Sequence, residues 1–252
     1  MISTLKSKVV VFLREIVPIS MALGIALVVH TVAAEPFTVP SGSMTPTLLA
    51  GDYLVAGKYT YGYSKFSSPI GLLPDFKGRV LETKPQRGDV IVFKLPRDTS
   101  SNYVKRLIGL PGDRIQMQMG RLYINGAIVP RRDDGDFTTE IAGLPQSVHR
   151  YIETLPGGRE HETLEISDTD TYDTTAEYIV PADSYFMMGD NRDNSLDSRV
   201  AAADGGVGFV PTENLLGRVD RVIYSRDPDV AWWRVPASIR AFRSERFFAA
   251  VE

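Results

Sequence analysis

Three short strings of this 252-residue chain carry side chains that could act together in a nucleophilic hydrolysis. They are PSGSM at residues 40–44, YVKR at residues 103–106 and GDNRDNSLDSR at residues 189–199. The first holds the hydroxyl of Ser43 in a turn-like segment. A free serine is a weak nucleophile and needs a neighbouring base to take its proton. The chemistry therefore depends on which base the fold brings to Ser43.

Lysine is the better candidate for that base. His30 lies in an apolar run, and His149 and His161 lie in a turn-rich region without a partnering motif, so neither a catalytic triad nor a histidine metal site is expected. A lysine base must be neutral, which requires its pKa of about 10.4 to fall by about 2 to 3 units. Lys105 lies in a largely apolar predicted strand, where burial lowers the pKa, whereas the string around Lys58 is expected to be more exposed.

The third string is dense in hydrogen-bonding side chains. The spacing of a calcium-binding loop fails there, because an arginine occupies the third position from the first aspartate and a serine replaces the glycine at the sixth position from the second. As a buried network, the string could place Ser195 against the lysine and pair Asp197 with Arg199 or Arg192. A plain surface turn is the alternative.

The first string follows an uncharged segment of 19 residues, Ile16 to Ala34. As a helix this segment roughly matches the bilayer core of about 30 Å. Basic residues precede the segment and none follows it before Lys58, which predicts a cytoplasmic N-terminus. A cleaved leader ending at the small residues 32–34 is the alternative. An uncleaved anchor would hold Ser43 nine residues beyond the membrane segment.

The remainder predicts a mostly β fold with an antiparallel catalytic core and an inserted β-rich subdomain. Strand formers occur at residues 53–56 and 89–93, and residues 114–129 favour a hairpin or meander with a turn at Asn125-Gly126. Met117 and Met119 alternate with polar residues and are expected to face the core. The acidic run at 133–136 is expected to be a solvated loop.

We predict four parts: a cytoplasmic N-terminus and anchor (1–35), a catalytic core (36–125 and 184–225), an inserted module (126–183) and a tail (226–252). Strand candidates in the module are residues 149–154, 163–166 and 178–180. The aromatic segment 59–76 is either a loop in the lipid interface or a buried crossing. In the tail, Ile239, Phe242 and Arg246 have helical spacing, which indicates an amphipathic helix against the core or anionic lipid.

Composition excludes several classes of function. A net charge of −3 without a basic and aromatic cluster argues against a nucleic-acid partner. The absence of cysteine excludes disulfides, thiolate metal sites and a cysteine nucleophile.

The three strings, in this order after an outward-facing anchor, closely resemble bacterial type I signal peptidases, which are membrane-bound serine endopeptidases with a Ser-Lys dyad. The resemblance covers residues 37–58, 87–113 and 189–199, besides the anchor. It implies Ser43 as the nucleophile, Lys105 as the general base, and Ser41 with the Ser43 amide as the oxyanion donors. It also implies that Ser195 orients Lys105 and that Asp197 and Arg199 brace the site. Six residues are implied to line shallow substrate pockets: Phe37, Val39, Met44, Leu48, Tyr103 and Val104.

The resemblance implies removal of N-terminal signal peptides from exported preproteins after small residues at Ala-x-Ala sites. It implies no cofactor and no metal, with signal peptides and membrane lipid as partners. The expected location is the bacterial inner membrane, with one crossing and the catalytic domain on the periplasmic face. Two alternatives remain: an envelope protein whose β domain only binds partners, and a self-cleaving Ser-Lys repressor-like protein, although the latter lack an anchor.

Overall fold

The computed structural model describes residues 14–25, 34–67, 76–141, 144–231, 233 and 239–251. In these ranges the chain forms a helix over residues 14–25 and fourteen strands. The strands are β1 (Ala34–Thr38), β2 (Asp52–Gly57), β3 (Val90–Leu95), β4 (Asp98–Gly109), β5 (Arg114–Gln118), β6 (Arg121–Ile124), β7 (Ala127–Ile128), β8 (Arg131–Ile141), β9 (Leu144–Thr154), β10 (Glu160–Glu165), β11 (Tyr178–Ile179), β12 (Ser184–Met188), β13 (Val210–Pro211) and β14 (Leu215–Ser225).

A seven-stranded antiparallel sheet in the order β1-β2-β14-β3-β4-β12-β13 forms the main body. Strand β3 is nearly all apolar, and both of its faces are buried: Val90 and Val92 lie in one hydrophobic cluster, and Ile91 and Phe93 lie in another. One face packs Leu54, Val90 and Val92 against Met44 and Leu48 from the first string. The mostly β, antiparallel prediction is confirmed, and the first and second strings share this core.

A four-stranded sheet, β11-β5-β6-β7, continues from the main body. The turn at Asn125-Gly126 has φ angles of 54° and 78°, which suit a tight hairpin between β6 and β7. Met117 is buried, as predicted, but Met119 is 69% exposed. The prediction for Met119 was wrong because the alternation ends one residue earlier: Met119 and Gly120 both have positive φ and form the turn between β5 and β6.

Strands β10, β9 and β8 form a separate three-stranded sheet inside the predicted module. The acidic run expected to be a loop lies within β8, where the pairing with β9 shifts register between Asp133 and Asp136. The shift keeps these polar residues on a strand at the protein surface. The Leu164 amide of β10 donates to the Asp190 carbonyl at 2.8 Å, so this sheet contacts the third string. The domain boundaries stay a prediction.

The predicted membrane segment is only partly described. Residues 14–25 are helical with exposed apolar side chains, whereas residues 26–33 lie outside the described residues. No helix within the described ranges has the length and apolar character needed to cross a bilayer. Of the aromatic segment 59–76, residues 68–75 also lie outside; Tyr61 is buried and Tyr59 is exposed.

The tail differs from the predicted amphipathic helix over residues 239–251. Residues 239–240 are helical, but the residues after them form isolated β-bridges from Phe242 to Arg226 and from Ala250 to Arg221, with a short 3-10 helix at Ser244–Arg246. Arg246 donates to both carboxylate oxygens of the buried Asp52. A specific ion pair with β2 and bridges to β14 therefore replace the helical periodicity.

Candidate active site

Ser43 is held by a short 3-10 helix, Gly42–Met44, that follows β1. The next side chain, Met44, is fully buried in the core, which fixes the serine at the surface above it. Asn191 of the third string supports the same turn: its backbone amide donates to the Ser43 carbonyl at 3.2 Å, and its Nδ2 donates to the Gly42 carbonyl at 3.1 Å. The first and third strings are thus joined directly.

Lys105 projects from β4, and its Nζ donates a hydrogen bond to Ser43 Oγ. The residue is only 2% exposed. Burial lowers the pKa of Lys105 to about 8, while the Asp197 and Asp190 carboxylates raise it and Arg199 lowers it further. The structure therefore brings the predicted nucleophile and the predicted base together, in surroundings that favour a neutral amine far more than water does.

Lys58, expected to be exposed, is fully buried. Its Nζ lies 2.7 Å from the Glu35 carboxylate and donates to the Ser67 carbonyl at 2.7 Å. The expectation was wrong because Lys58 begins the 3-10 helix Lys58–Thr60 with its side chain buried, and Glu35 of β1 supplies a counter-charge there. Unlike Lys105, this lysine is held in an ion pair.

Ser41, the predicted oxyanion donor, and Ser195, predicted to orient Lys105, have different surroundings. Ser41 is exposed and its Oγ lies 3.4 Å from Ser43 Oγ. Ser195 is buried beside the site, but its Oγ has no hydrogen-bond partner among the described residues, so the predicted bond to Lys105 is not formed. A Cβ at Gly189 would meet Ser195 Oγ at 2.2 Å and the Ser43 carbonyl at 2.5 Å. Glycine at that position is what lets the third string approach the nucleophile.

Asp197 and Arg199 form a buried brace, as predicted. The guanidinium donates from Nε to Asp197 Oδ1 and from Nη2 to Oδ2, both at 2.9 Å, and the Gly189 amide donates to Oδ2 at 3.0 Å. Arg199 beside Asp197 holds the pKa of that carboxyl below its usual range, against the effect of burial. The brace closes the third string on itself, since Arg199 also donates to the Arg192 carbonyl at 2.5 Å.

A second buried ion pair, between Arg106 and Asp190, was not singled out from the sequence. Arg106 Nε and Nη2 each donate to an Asp190 carboxylate oxygen at 2.8 Å, and Nη1 donates to the Gly88 carbonyl at 2.9 Å. Thr47 donates to the same carboxylate at 2.6 Å. Arg106 belongs to the second string and Asp190 to the third, so both lay within the segments that the sequence singled out. Their pairing becomes visible in the folded strand, where Arg106 points away from Lys105 into the core.

A cleft of about 610 Å³ opens in front of Ser43 and Lys105. Four of the predicted pocket residues line it: Phe37, Val39, Tyr103 and Val104. Met44 and Leu48 do not, because both side chains are fully buried in the core beneath it. Asn102, Tyr172 and Leu196 are among the lining residues that the sequence did not indicate. Nothing in the sequence indicated that Tyr172 lines the cleft, since it lies in the turn-rich part of the predicted module.

Comparison with known proteins decides the family. The family model described as "Signal peptidase, peptidase S26" matches residues 13–224, which include all three strings. The chain belongs to this signal peptidase family. The resemblance drawn from the strings is thereby confirmed, and the reading as a protein that only binds partners is set aside.

This member of the signal peptidase family has curated relatives of similar length. It is 41% identical to "Signal peptidase I" of Rickettsia typhi over 227 residues, covering 87% of the chain and 82% of the relative. The sequence identity to the Rickettsia prowazekii protein is 40%, with the same coverage of both chains. The identity to the Rickettsia canadensis protein is 41%, covering 83% of this chain and 78% of the relative. A crystal structure of a signal peptidase I from Enterococcus faecalis is 28% identical, with a TM-score of 0.32, and covers 54% of this chain and 97% of that one. The chain is accordingly a serine peptidase that removes signal peptides.

Proposed function

We propose that this signal peptidase cleaves exported preproteins through a Ser43-Lys105 dyad and an acyl-enzyme. The observation that carries the proposal is the hydrogen-bonding contact between Ser43 Oγ and a buried Lys105 with a lowered pKa. The neutral amine accepts the Ser43 proton as Oγ bonds to the scissile carbonyl carbon. The C–N bond then breaks, and the departing amine takes that proton from the Lys105 ammonium. Water then loses a proton to Lys105 and attacks the ester carbonyl, and Lys105 returns that proton to Ser43 Oγ as the acyl–oxygen bond breaks.

Ser41 and the Ser43 backbone amide are the proposed oxyanion donors. Ser41 is exposed at the cleft, and its hydroxyl is close enough to Ser43 to reach the same carbonyl oxygen. A donor of this kind is typically worth about 3 to 4 kcal/mol in the transition state. Asp197 and Arg199 hold the third string in place, and Ser195 contributes a hydroxyl close to the amine once substrate is bound.

The substrate is proposed to bind extended along the cleft. In the described part of the sheet, residues 102–105 of β4 pair with β3 alone, because β12 pairs only with residues 106–109. Their free backbone groups can bond to a peptide, and alternate side chains of that peptide then face the apolar lining. Phe37, Val39, Tyr103 and Val104 form shallow walls that suit small side chains at −1 and −3.

The proposed location is the inner membrane, with the cytoplasmic N-terminus followed by one crossing at residues 16–34. The uncharged run and the basic residues before it support this topology. Anchoring would keep the periplasmic site at the level where signal peptides leave the bilayer and would raise their local concentration.

Cleavage specificity tests the proposed function. Purified protein in detergent should cut a preprotein with an Ala-x-Ala site, and N-terminal sequencing of the product should place the cut after the second alanine. Leucine at −1 or −3 should lower the rate by about 100-fold, since shallow pockets cannot hold the added carbons. Leucine at −2 is the matched control and should leave the rate nearly unchanged. Equal cleavage of the substrates with leucine at −1, −2 and −3 would contradict the proposed pockets for small side chains.

The pH profile tests the lysine base. Because only the neutral amine can accept the proton, kcat/KM should rise about tenfold per pH unit below a pKa near 8 and level off above it. The same shift predicts that the free energy of unfolding rises between about pH 8 and the ordinary value of 10.5, where the unfolded chain binds the extra proton. A kcat/KM that stays flat from pH 6 to pH 9, with unchanged circular dichroism, would argue against Lys105 as the base.

A further inference from the structure

Three carboxylates from separate segments meet behind the active-site cleft. Glu165 ends β10, Asp173 lies in the connection after it, and Asp193 belongs to the short 3-10 helix Arg192–Asn194 of the third string. One oxygen from each lies within 4.8 Å of the other two. The third string alone lacks the spacing of a calcium-binding loop, whereas this cluster is made by the tertiary fold.

Two of the three carboxylates are buried and carry oxygens without hydrogen-bond partners among the described residues. Glu165 is 2% exposed and Asp173 is 1% exposed. Within the described residues, neither oxygen of Glu165 and not Oδ1 of Asp173 has a hydrogen-bond partner. A buried polar atom without a partner costs about 1 to 3 kcal/mol, and more when it is charged, so a ligand at this point would relieve a real penalty.

The other oxygens of the cluster are already engaged by backbone amides. Asp193 Oδ2 accepts from Ile166 at 2.7 Å and from Ser167 at 3.1 Å, and Asp173 Oδ2 accepts from Asp170 at 2.6 Å. These bonds fix how the two carboxylates are turned. The oxygens without partners are therefore held in place for a ligand rather than free to rotate towards solvent.

The cations near the cluster are shared with other acceptors. Arg131 Nη1 lies 3.5 Å from Glu165 Oε2, but the same guanidinium also donates to Asp168 and to the Gly120 carbonyl. Arg192 is engaged by Glu153, and Arg199 by Asp197.

We propose that Glu165, Asp173 and Asp193 form a binding site for a divalent cation of the oxygen-seeking class, with Ca²⁺ as the best match. Carboxylate oxygens are the ligands that Ca²⁺ prefers, at about 2.3 to 2.6 Å, so three oxygens within 4.8 Å of one another can share one ion. The cation would join the inserted sheet to the third string two residues before Ser195. Asp193 also lines the cleft, so the bound ion would steady one of its walls.

Calorimetric titration of the full chain in detergent with CaCl₂, after treatment with EDTA and its removal, tests the site. We expect one saturable site with a Kd of about 0.1 to 1 mM, typical of extracellular calcium modules. Glu165→Gln keeps the shape but removes the ligand charge, and should weaken binding at least about tenfold. Asp173→Asn should do the same and serves if the first variant does not fold. Glu160→Gln is the matched control, on the same strand with a side chain 53% exposed, and should bind as the parent does.

Two results would overturn the cation site. One is no saturable Ca²⁺ binding by the parent protein, which would mean that a proton on Glu165 satisfies the cluster. The other is equal binding by the parent, Glu165→Gln and Asp173→Asn, which would place the ion elsewhere. Tighter binding of Mg²⁺ in a parallel titration would overturn the choice of Ca²⁺. Binding is measured without peptidase activity, so this test fails or succeeds independently of the proposed dyad.

Discussion

Replacing Lys105 by methionine is expected to lower kcat for signal-peptide cleavage by about 10³- to 10⁴-fold. Methionine fills much of the buried volume of the lysine stem without introducing a charge, so the packing around β4 should survive. What is lost is the amine in contact with Ser43 Oγ. Without it the serine hydroxyl keeps its ordinary, high pKa and does not attack. Single-turnover kinetics with an Ala-x-Ala preprotein measures the chemical step directly.

Two comparisons make the Lys105→Met result specific. Ser43→Ala should lose a similar amount of activity, and the double variant should be no worse than either single one, because the two residues act as a unit. Lys84→Met removes an exposed lysine and should keep full activity. A Lys105→Met protein that keeps more than about a tenth of the parent rate, with parent-like circular dichroism, would exclude Lys105 as the base.

Replacing Arg106 by methionine is expected to lower the free energy of unfolding by about 3 to 5 kcal/mol. The reason is that Asp190 would remain fully buried with its charge, and Thr47 would be its one side-chain donor among the described residues. Arg106 also donates to the Gly88 carbonyl, which would lose that partner. Urea unfolding in detergent, followed by circular dichroism, gives the midpoint and slope that measure the loss.

A double variant separates the ion pair from general damage to the core. Arg106→Met with Asp190→Leu removes both charges, and should recover a large part of the stability because no uncompensated charge stays buried. Arg132→Met, at a side chain 61% exposed, should change stability by no more than about 0.5 kcal/mol. A loss below about 1 kcal/mol for Arg106→Met would mean that water reaches Asp190.

Much of the fold could be predicted because local patterns and tertiary contacts agree. The strand at residues 89–93 and the turn at Asn125-Gly126 occur where the sequence indicates them, since apolar runs and left-handed turn residues have few other stable arrangements. The tail was not predictable in this way. Its helical spacing is overridden by the pair between Arg246 and Asp52, residues far apart in the chain.

Burial of charged residues is where sequence reasoning failed most clearly. Lys58 was expected to be exposed and is fully buried, because Glu35 and the Ser67 carbonyl compensate its charge.

Met44 and Leu48 lie in the core rather than in the cleft wall, since the turn that exposes Ser43 points its neighbours inwards. Sequence periodicity indicates which residues share a face of a strand or helix. It does not indicate which distant residue will compensate the charge of a buried side chain.

Residue type and local spacing are enough to identify the chemical groups of this signal peptidase: a serine, a lysine in an apolar strand and a polar third string, in that order. These features can be recognised without knowing how the chain folds. The folded chain adds that Ser43 and Lys105 touch, that Arg106 turns to Asp190, and that Glu165, Asp173 and Asp193 converge. Each of these contacts joins separate segments of the chain, so its geometry depends on strand order, register and burial, which no single segment encodes.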